Sequence, residues 1–482
     1  MKQTTNMTAE SETATRIAVV GAGITGLAAA LRIHEAAPEC GLVVLDADPR
    51  AGGVLQTVTQ DDFLIERSAD AFITNVPWAT DLCTRVGMTD EMLSTNAQFR
   101  RAFVVNRGRV QDIPEGFVIM APRKIRPLIT TPILSLRGKL RLAAEYFVPR
   151  RDDDVDESLE SFAKRRFGNE VFERLIQPLV GGIYTADPSR LSLRSTLPQF
   201  VEMERDHGSL IKAALRTARQ QKAAAKDSAA RYGLFTTPRG GMSQLVEAVI
   251  SRLPENCLHL SAAVSQLIRE PDDGWIIECA DQQRMHVDGV VLATPADAAA
   301  TILRSVDQEL AGELNQIPHA GSAVVSLGYR VCDISHPLDG FGFVVPLVER
   351  REILSASFSS VKFEHRAPDQ CVLVRVFIGG ACQPELVDLP RDQLTELAMR
   401  ELRELLGISG DPLTVDVARW PSAMPQYHVG HMQLIQKVRR LTTTHPGLEL
   451  AGKSYDGVGI PSCIRSGEQA AEKLLNWAGL GS

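Results

Sequence analysis

The hydrophobic pattern of this chain changes period several times, and each change marks a segment. Residues 17–20 are a short, unbroken apolar run. Gly21, Gly23 and Gly26 follow at once, then alanine-rich sequence to about residue 37. An apolar run bounded by turn residues predicts a buried strand, and the sequence after the glycines predicts a helix ended by Pro38. A second run at 42–45 predicts a second strand. Helices are expected at 77–86, with Asn75 as cap and Gly87 as stop, at 157–166, and at 169–179 with Gly181-Gly182 as breaker. A helix follows Gly240-Gly241 at 243–253. Residues 263–268, 275–279 and 287–292 read as strands, with a turn near Asp281. Alternating runs at 323–329, 341–345 and 372–377 predict a mainly antiparallel sheet. A helix at 393–406 carries Leu394, Ala398, Leu402 and Leu405 on one face and stops at Gly407. A last strand at 448–451, a glycine-punctuated loop and a helix at 462–477 complete the chain.

The first strand, glycine turn and helix carry chemistry. In GAGITG, Gly21 makes the turn, Gly23 admits a close approach of a diphosphate, and Gly26 lets helix and strand pack tightly. Ala22, Ile24 and Thr25 complete the loop, and the helix start presents free N–H groups to an anion. The second strand ends in Asp46-Ala47, roughly 20 residues past the last glycine, where a carboxylate takes a ribose 2′-OH and repels a 2′-phosphate. Arg50, Gly52 and Gly53 fit a second backbone approach to the same ligand.

The 482 residues predict two or three domains. Hydrophobic content of 44% and charge of 23% fit a globular protein, and a net charge of −7 disfavours nucleic acid. The eight cysteines show no CxxC spacing, so no metal site is expected and the thiols read as reduced, as in the cytoplasm. Residues 1–14 are polar and read as a disordered leader. Between residues 100 and 151, about a dozen Arg and Lys alternate with apolar residues. Such stretches form solvated helix faces, line acidic-ligand sites or lie on anionic membranes. Residues 216–231 read as an exposed helix or a mobile loop.

Together the motifs VVGAGITGLAAA, IERSADAF, FGNEVFERLIQPLVGGIYTADPSRLSLRSTLPQF and AGKSYDGVGIPSCIRSGEQAAE resemble the flavin amine oxidase superfamily. Within it the chain is similar to the oxygen-dependent porphyrinogen oxidases, over nearly everything from residue 16 to 477. The resemblance implies an α/β (α+β overall) fold: a Rossmann-like FAD-binding domain from 15–95, 232–305 and 420–482, an antiparallel-sheet substrate domain from 96–110 and 306–419, and a helical domain from 111–231. It implies non-covalent FAD, with Gly21 to Gly26 at the diphosphate, Asp46 at the ribose, and Arg50, Gly52 and Gly53 along the phosphates. Val264 would meet the adenine; Trp420, Val458, Gly459 and Ile460 would lie by the flavin. The expected reaction is oxidation of coproporphyrinogen III or protoporphyrinogen IX by O₂ in haem biosynthesis, with hand-over to a following enzyme and contact with the inner membrane face through 100–151. Arg100 and Arg101 resemble a propionate clamp, and Asp70 is a candidate for orienting substrate nitrogens. Three departures stand out: Asp46 where the superfamily commonly has Glu, Ser68-Ala69 where it has Gly-Pro, and Asp70 where it often has Asn or a small residue. Competing readings are an amine oxidase, a carotenoid-type desaturase or an inert flavin-binding scaffold. Residues 420–431 contain no Cys to tether a flavin, and aromatics make up only 5% of the chain, too few for an amine cage.

Overall fold

The computed structural model describes residues 15–122, 126–221, 235–270 and 274–481. The leader at 1–14, the basic run at 123–125 and residues 222–231 lie outside the described residues. The chain forms two compact bodies, the first from residues through Gly53, Val246–Gln316 and Lys437 onward, the second from Val54–Leu245 and Ile317–Gln436.

The first body is built on a five-stranded parallel sheet, in the order Leu258–His259, Gly41–Leu45, Arg16–Val20, Gly289–Leu292, Leu448–Leu450. Its strands are continuous apolar runs because both faces are covered. Ile17, Ala18, Val19, Val44 and Val290–Leu292 have no exposed surface. The glycine helix, Ile24–Ala36, crosses over between the first two strands and packs against the C-terminal helix, Ile460–Trp477. The approach is close. A Cβ on Gly467 would lie 2.1 Å from the Thr25 carbonyl oxygen, and one on Gly26 would lie 1.8 Å from that of Gly21. One expectation needs correction. Residues 287–292 do not form one strand after a hairpin. Arg284–Val287 closes a three-stranded meander with Val264–Arg269 and Trp275–Cys279, and Gly289–Leu292 enters the parallel sheet. The chain turns at Asp288, whose carboxylate accepts from the Arg16 N–H at 2.6 Å.

The second body centres on a seven-stranded sheet, ordered Thr414–Pro425, His319–Arg330, Cys371–Gly379, Ser355–Phe358, Gly342–Val344, Phe103–Asn106, Arg109–Asp112. All pairings are antiparallel except Gly342–Val344 with Phe103–Asn106. The helix Arg391–Leu406 lays Leu394, Leu397, Ala398 and Leu402 on this sheet, against a core holding Val325, Val374 and Val376. Residues 54–95 fold here: the hairpin Thr57–Gln60/Phe63–Glu66 packs Phe63 and Ile65 on Leu373. Helices Leu159–Phe167, Pro198–His207 and Leu210–Gln221 surround a buried ion pair of Glu145 with Arg166. Gly181-Gly182 does not break its helix. The helical run continues from Asn169 through a π-helical stretch, Phe172–Ile176, to Tyr184. Pairs of small residues permit an end without imposing one, and here Thr185, in the left-handed conformation, supplies it. Among the described residues, no helix is long and apolar enough to cross a membrane.

Candidate functional site

In the first body, the glycine motif sits at the carboxyl ends of the parallel strands, where open α/β sheets bind ligands. Gly21 N–H donates to the Leu45 carbonyl at 2.7 Å, and Gly52 N–H to that of Ala22 at 2.8 Å, which lays the 50–53 loop along the glycine turn. Gly23 precedes the helix, and no side chain caps the N–H groups of its first turn, Ile24, Thr25 and Gly26. No atom lies within 4 Å of where a Gly23 Cβ would stand, and a Gly53 Cβ would meet only the Gly23 Cα, at 3.3 Å. The result is an open floor of backbone donors at a positive helix end, which fits a diphosphate.

Asp46 braces this turn. Its Oδ2 accepts from the Ala22 N–H at 2.5 Å and its Oδ1 from the Asp48 N–H at 2.8 Å. Each carboxylate oxygen keeps lone pairs for ribose hydroxyls. Ala47 beside it is exposed. Arg50 folds back onto the carbonyls of Ala51 and Gly53, so it also shapes the glycine loop. Ala262 N–H donates to the Asp46 carbonyl at 2.8 Å and Ser261 N–H to that of Asp48 at 3.0 Å. Those bonds bring Val264 to the strand end that carries Asp46. On the C-terminal side, Val458 and Gly459 lead into a second helix start that no side chain caps, while Ile460 is buried. Sequence reasoning missed two residues here: Gly467, and Thr294, whose buried Oγ1 has no hydrogen-bond partner. An unexplained glycine inside a helix was the available signal for the first.

The second body holds a buried charge cluster. Asp70 faces the Lys362 ammonium at 3.1 and 3.2 Å and Arg375 Nη1 at 3.4 Å. Although burial opposes it, these two cations, Lys362 foremost, hold the Asp70 carboxyl below its usual range. Arg375 also donates to the Ser68 carbonyl, and Arg366 donates to Thr237 Oγ1 and the carbonyls of Pro238 and Arg239. Glu66 accepts from the Met242 N–H at 2.8 Å and the Thr57 hydroxyl at 2.9 Å, and burial pushes its pKa up to about 7. Trp420 donates from its indole to the Arg67 carbonyl at 2.8 Å, while Arg67 grips Asp416 with two bonds. A cavity of about 450 Å³ is lined by Arg100, Arg101, Asp112, Glu115 and Phe117. Arg101 is engaged by Asp339 and, at 3.5 Å, by Asp112. Arg100 donates to the Thr95 carbonyl at 3.2 Å and keeps a buried Nε with no partner. The Asp70 partners lie about 290 to 305 residues away, so no local pattern could pair them. Arg375 alone left a trace, as a charge inside the apolar run CVLVRVFIG.

Residues 24–475 match the family described as flavin-containing amine oxidoreductase. The chain belongs to this family, and its cofactor is FAD. It is 33% identical over 466 residues to the coproporphyrinogen III oxidase of Bacillus subtilis (strain 168), covering 96% of this chain and 98% of that protein. It is 27% identical to protoporphyrinogen oxidase 2 of Arabidopsis thaliana, covering 97% and 95%. A solved structure from Exiguobacterium sp. 255-15, provisionally assigned as a protoporphyrinogen oxidase, superimposes with a TM-score of 0.85 at 28% identity, over 97% of this chain and 99% of the other. The cyclohexylamine oxidase of Brevibacterium oxydans shares the fold, with a TM-score of 0.69 at 15% identity.

Proposed function

We propose that this chain oxidises coproporphyrinogen III to coproporphyrin III in haem biosynthesis, with O₂ as acceptor and H₂O₂ as product. One observation carries the choice of substrate. The relatives named coproporphyrinogen III oxidase are 30–33% identical over 95–96% of the chain, whereas those named protoporphyrinogen oxidase are 27–29% identical.

FAD, when bound, would supply the two-electron acceptor for the substrate and the centre that O₂ reoxidises. The chain's own groups bind and orient. The N–H groups of residues 24–26 hold the diphosphate and Asp46 the ribose, while Arg50, Gly52 and Gly53 shape the loop beside them. Val264 covers the adenine. Val458, Gly459 and Ile460 keep their assignment to the flavin on the family resemblance, as does Trp420. Without a cysteine in residues 420–431, the flavin is held non-covalently. Arg100, with its unmatched Nε, is the better of the two arginines for a substrate propionate, because Arg101 is already engaged by carboxylates. Asp70 acts through its cations, fixing the segment 66–70 rather than moving protons. Pyrrole tautomerisation redistributes protons within the substrate, so no acid–base triad is needed. The basic stretch 100–151 makes peripheral contact with a membrane, and the product passes to the next haem-pathway enzyme.

Anaerobic mixing with each porphyrinogen, followed by flavin absorbance, tests this reading. Faster bleaching by coproporphyrinogen III is expected. Faster bleaching by protoporphyrinogen IX reverses the substrate choice, and bleaching by neither ends the porphyrinogen reading.

A further inference from the structure

The segment from Glu66 to Asp70 is tied down from several sides within the second body. Arg67 N–H donates to the Gln56 carbonyl at 2.8 Å. Trp420, on the strand Thr414–Pro425, donates to the Arg67 carbonyl, and Asp416 on the same strand holds the Arg67 guanidinium. Lys362 holds both oxygens of Asp70. Arg375 supplies two further ties: Nη2 donates to the Ser68 carbonyl, and Nη1 faces Asp70 Oδ2 at 3.4 Å. The Arg375 backbone is fixed in mid-sheet, in register with Ser326 on one neighbouring strand and Ser357 on the other. Only its guanidinium is free to change partners.

Three polar groups around that guanidinium are buried with no hydrogen-bond partner among the described residues. They are Arg375 Nε, Ser68 Oγ and, directly across the register, Ser326 Oγ. A buried donor or acceptor left unpaired costs free energy. The observed arrangement therefore leaves bonds unmade that a second arrangement can make.

A competitor for Arg375 stands at the head of the segment. Glu66 is 2% exposed and accepts from the Thr57 hydroxyl and from the Met242 N–H, at the start of the helix Met242–Ile250. The charged groups that face it are Arg375 and Arg366. Arg366 is committed to three acceptors, Thr237 Oγ1 and the carbonyls of Pro238 and Arg239. Arg375, with one hydrogen bond and one longer ion pair, is the freer of the two. A neutral Glu66 makes no demand on either cation, and burial keeps it neutral up to about pH 7. Once ionised, it is a desolvated carboxylate beside a guanidinium with an idle N–H. Leaving such a charge unpaired costs more than giving up a bond to a neutral carbonyl.

We infer that Arg375 is a latch shared by the two carboxylates of this segment: it holds Ser68 and Asp70 while Glu66 is neutral, and turns to Glu66 when that carboxyl ionises. The latch couples the setting of residues 67–70, and of Trp420 bonded to them, to pH. It lies wholly within the second body and is independent of the substrate assigned above.

The test is ¹⁹F NMR of the holoenzyme labelled with 5-fluorotryptophan. The label reports at Trp78, Trp275, Trp420 and Trp477, and Trp420→Phe identifies the resonance of the indole bonded to Arg67. Spectra are compared between about pH 5 and 8, where a fold of this kind is most stable. The Trp420 resonance should move along a single titration centred near pH 7. In Glu66→Gln it should stay at the wild-type low-pH position throughout. Arg375→Lys keeps the charge, but its compact ammonium lacks the fork that spans Ser68 and Asp70, so most of the titration should disappear. The other three resonances should be the same in all variants; a general loosening of the fold would move them as well. A wild-type Trp420 resonance that does not titrate overturns the latch, as does one that titrates equally in Glu66→Gln. A wild-type titration in Arg375→Lys shows that Glu66 acts without Arg375, and overturns the sharing. If Arg375→Lys does not accumulate, Arg375→Gln, which carries no charge for Glu66 to recruit, is judged by the same criteria.

Discussion

Glu66 concentrates the pH sensitivity of the second body. Its carboxyl is 2% exposed, and its folded pKa of about 7 lies above the ordinary 4.5. The protonated form is the one the fold accommodates. Its stabilisation is therefore complete below pH 4.5 and is lost as pH rises through 7. Glu66→Gln keeps an acceptor for the Met242 N–H and removes the charge. We expect the variant to melt above the wild type at pH 8, with the gap closing toward pH 5, in thermal scans across that range. Melting curves that fall in parallel would show that another group titrates. At this scale the sequence was partly legible. Asp46 and the glycines follow from spacing, because a strand, a turn and a helix fix where each backbone group points. Asp70 was legible as a candidate but its chemistry was not. Lys362 and Arg375 reach it from distant strands and helices of the second body, and they turn a presumptive substrate group into the counter-ion of two cations.

Among the elements, the stretch 126–147 motivates a test of the membrane reading, one of the three that the sequence left open. The helix Leu136–Ala143 buries Leu142 and Gly138, whereas Leu136, Leu140 and, just beyond, Phe147 are 73%, 64% and 82% exposed. Exposed Arg137 and Arg150 flank them. Apolar side chains ringed by cations suit the boundary of an anionic bilayer better than water. The wild type should therefore co-sediment with vesicles containing anionic phospholipid and be released by salt. A Leu140→Asp/Phe147→Asp variant should stay in the supernatant at any vesicle concentration while keeping its flavin. Equal sedimentation of the two would return this face to solvent. Element prediction succeeded where the period was long and uniform, as in Arg391–Leu406 with its stop at Gly407. It failed at 181–182 and 287–292, where the deciding factor is a contact made elsewhere, such as pairing of Gly289–Leu292 with the first and last strands.

Across the whole molecule, each body is assembled from segments far apart in the chain, which crosses from one to the other at residues 53–54, 245–246, 316–317 and 436–437. A chain ending at Gln436 would lack the strand Leu448–Leu450 and the C-terminal helix. It would also leave bare the glycine-helix face that this helix covers. Ile460, Ile464, Leu474 and Leu475 alone bury side chains worth about 1.5–3 kcal/mol each. That truncation should be colourless after purification and lack a cooperative transition by circular dichroism; a yellow, cooperatively folding product would show that the C-terminal segment is dispensable. By itself the sequence determined the glycine turn, the alternating strands and the family. Those features are written in spacings of a few residues, over which backbone geometry is nearly fixed. Only the tertiary structure decided that residues 54–95 join the antiparallel body, that Arg101 is already paired, and that Asp70 answers to Lys362. Each of those is a meeting of side chains from segments with no common local period, and charge and burial acquire meaning only once the chain has brought them together.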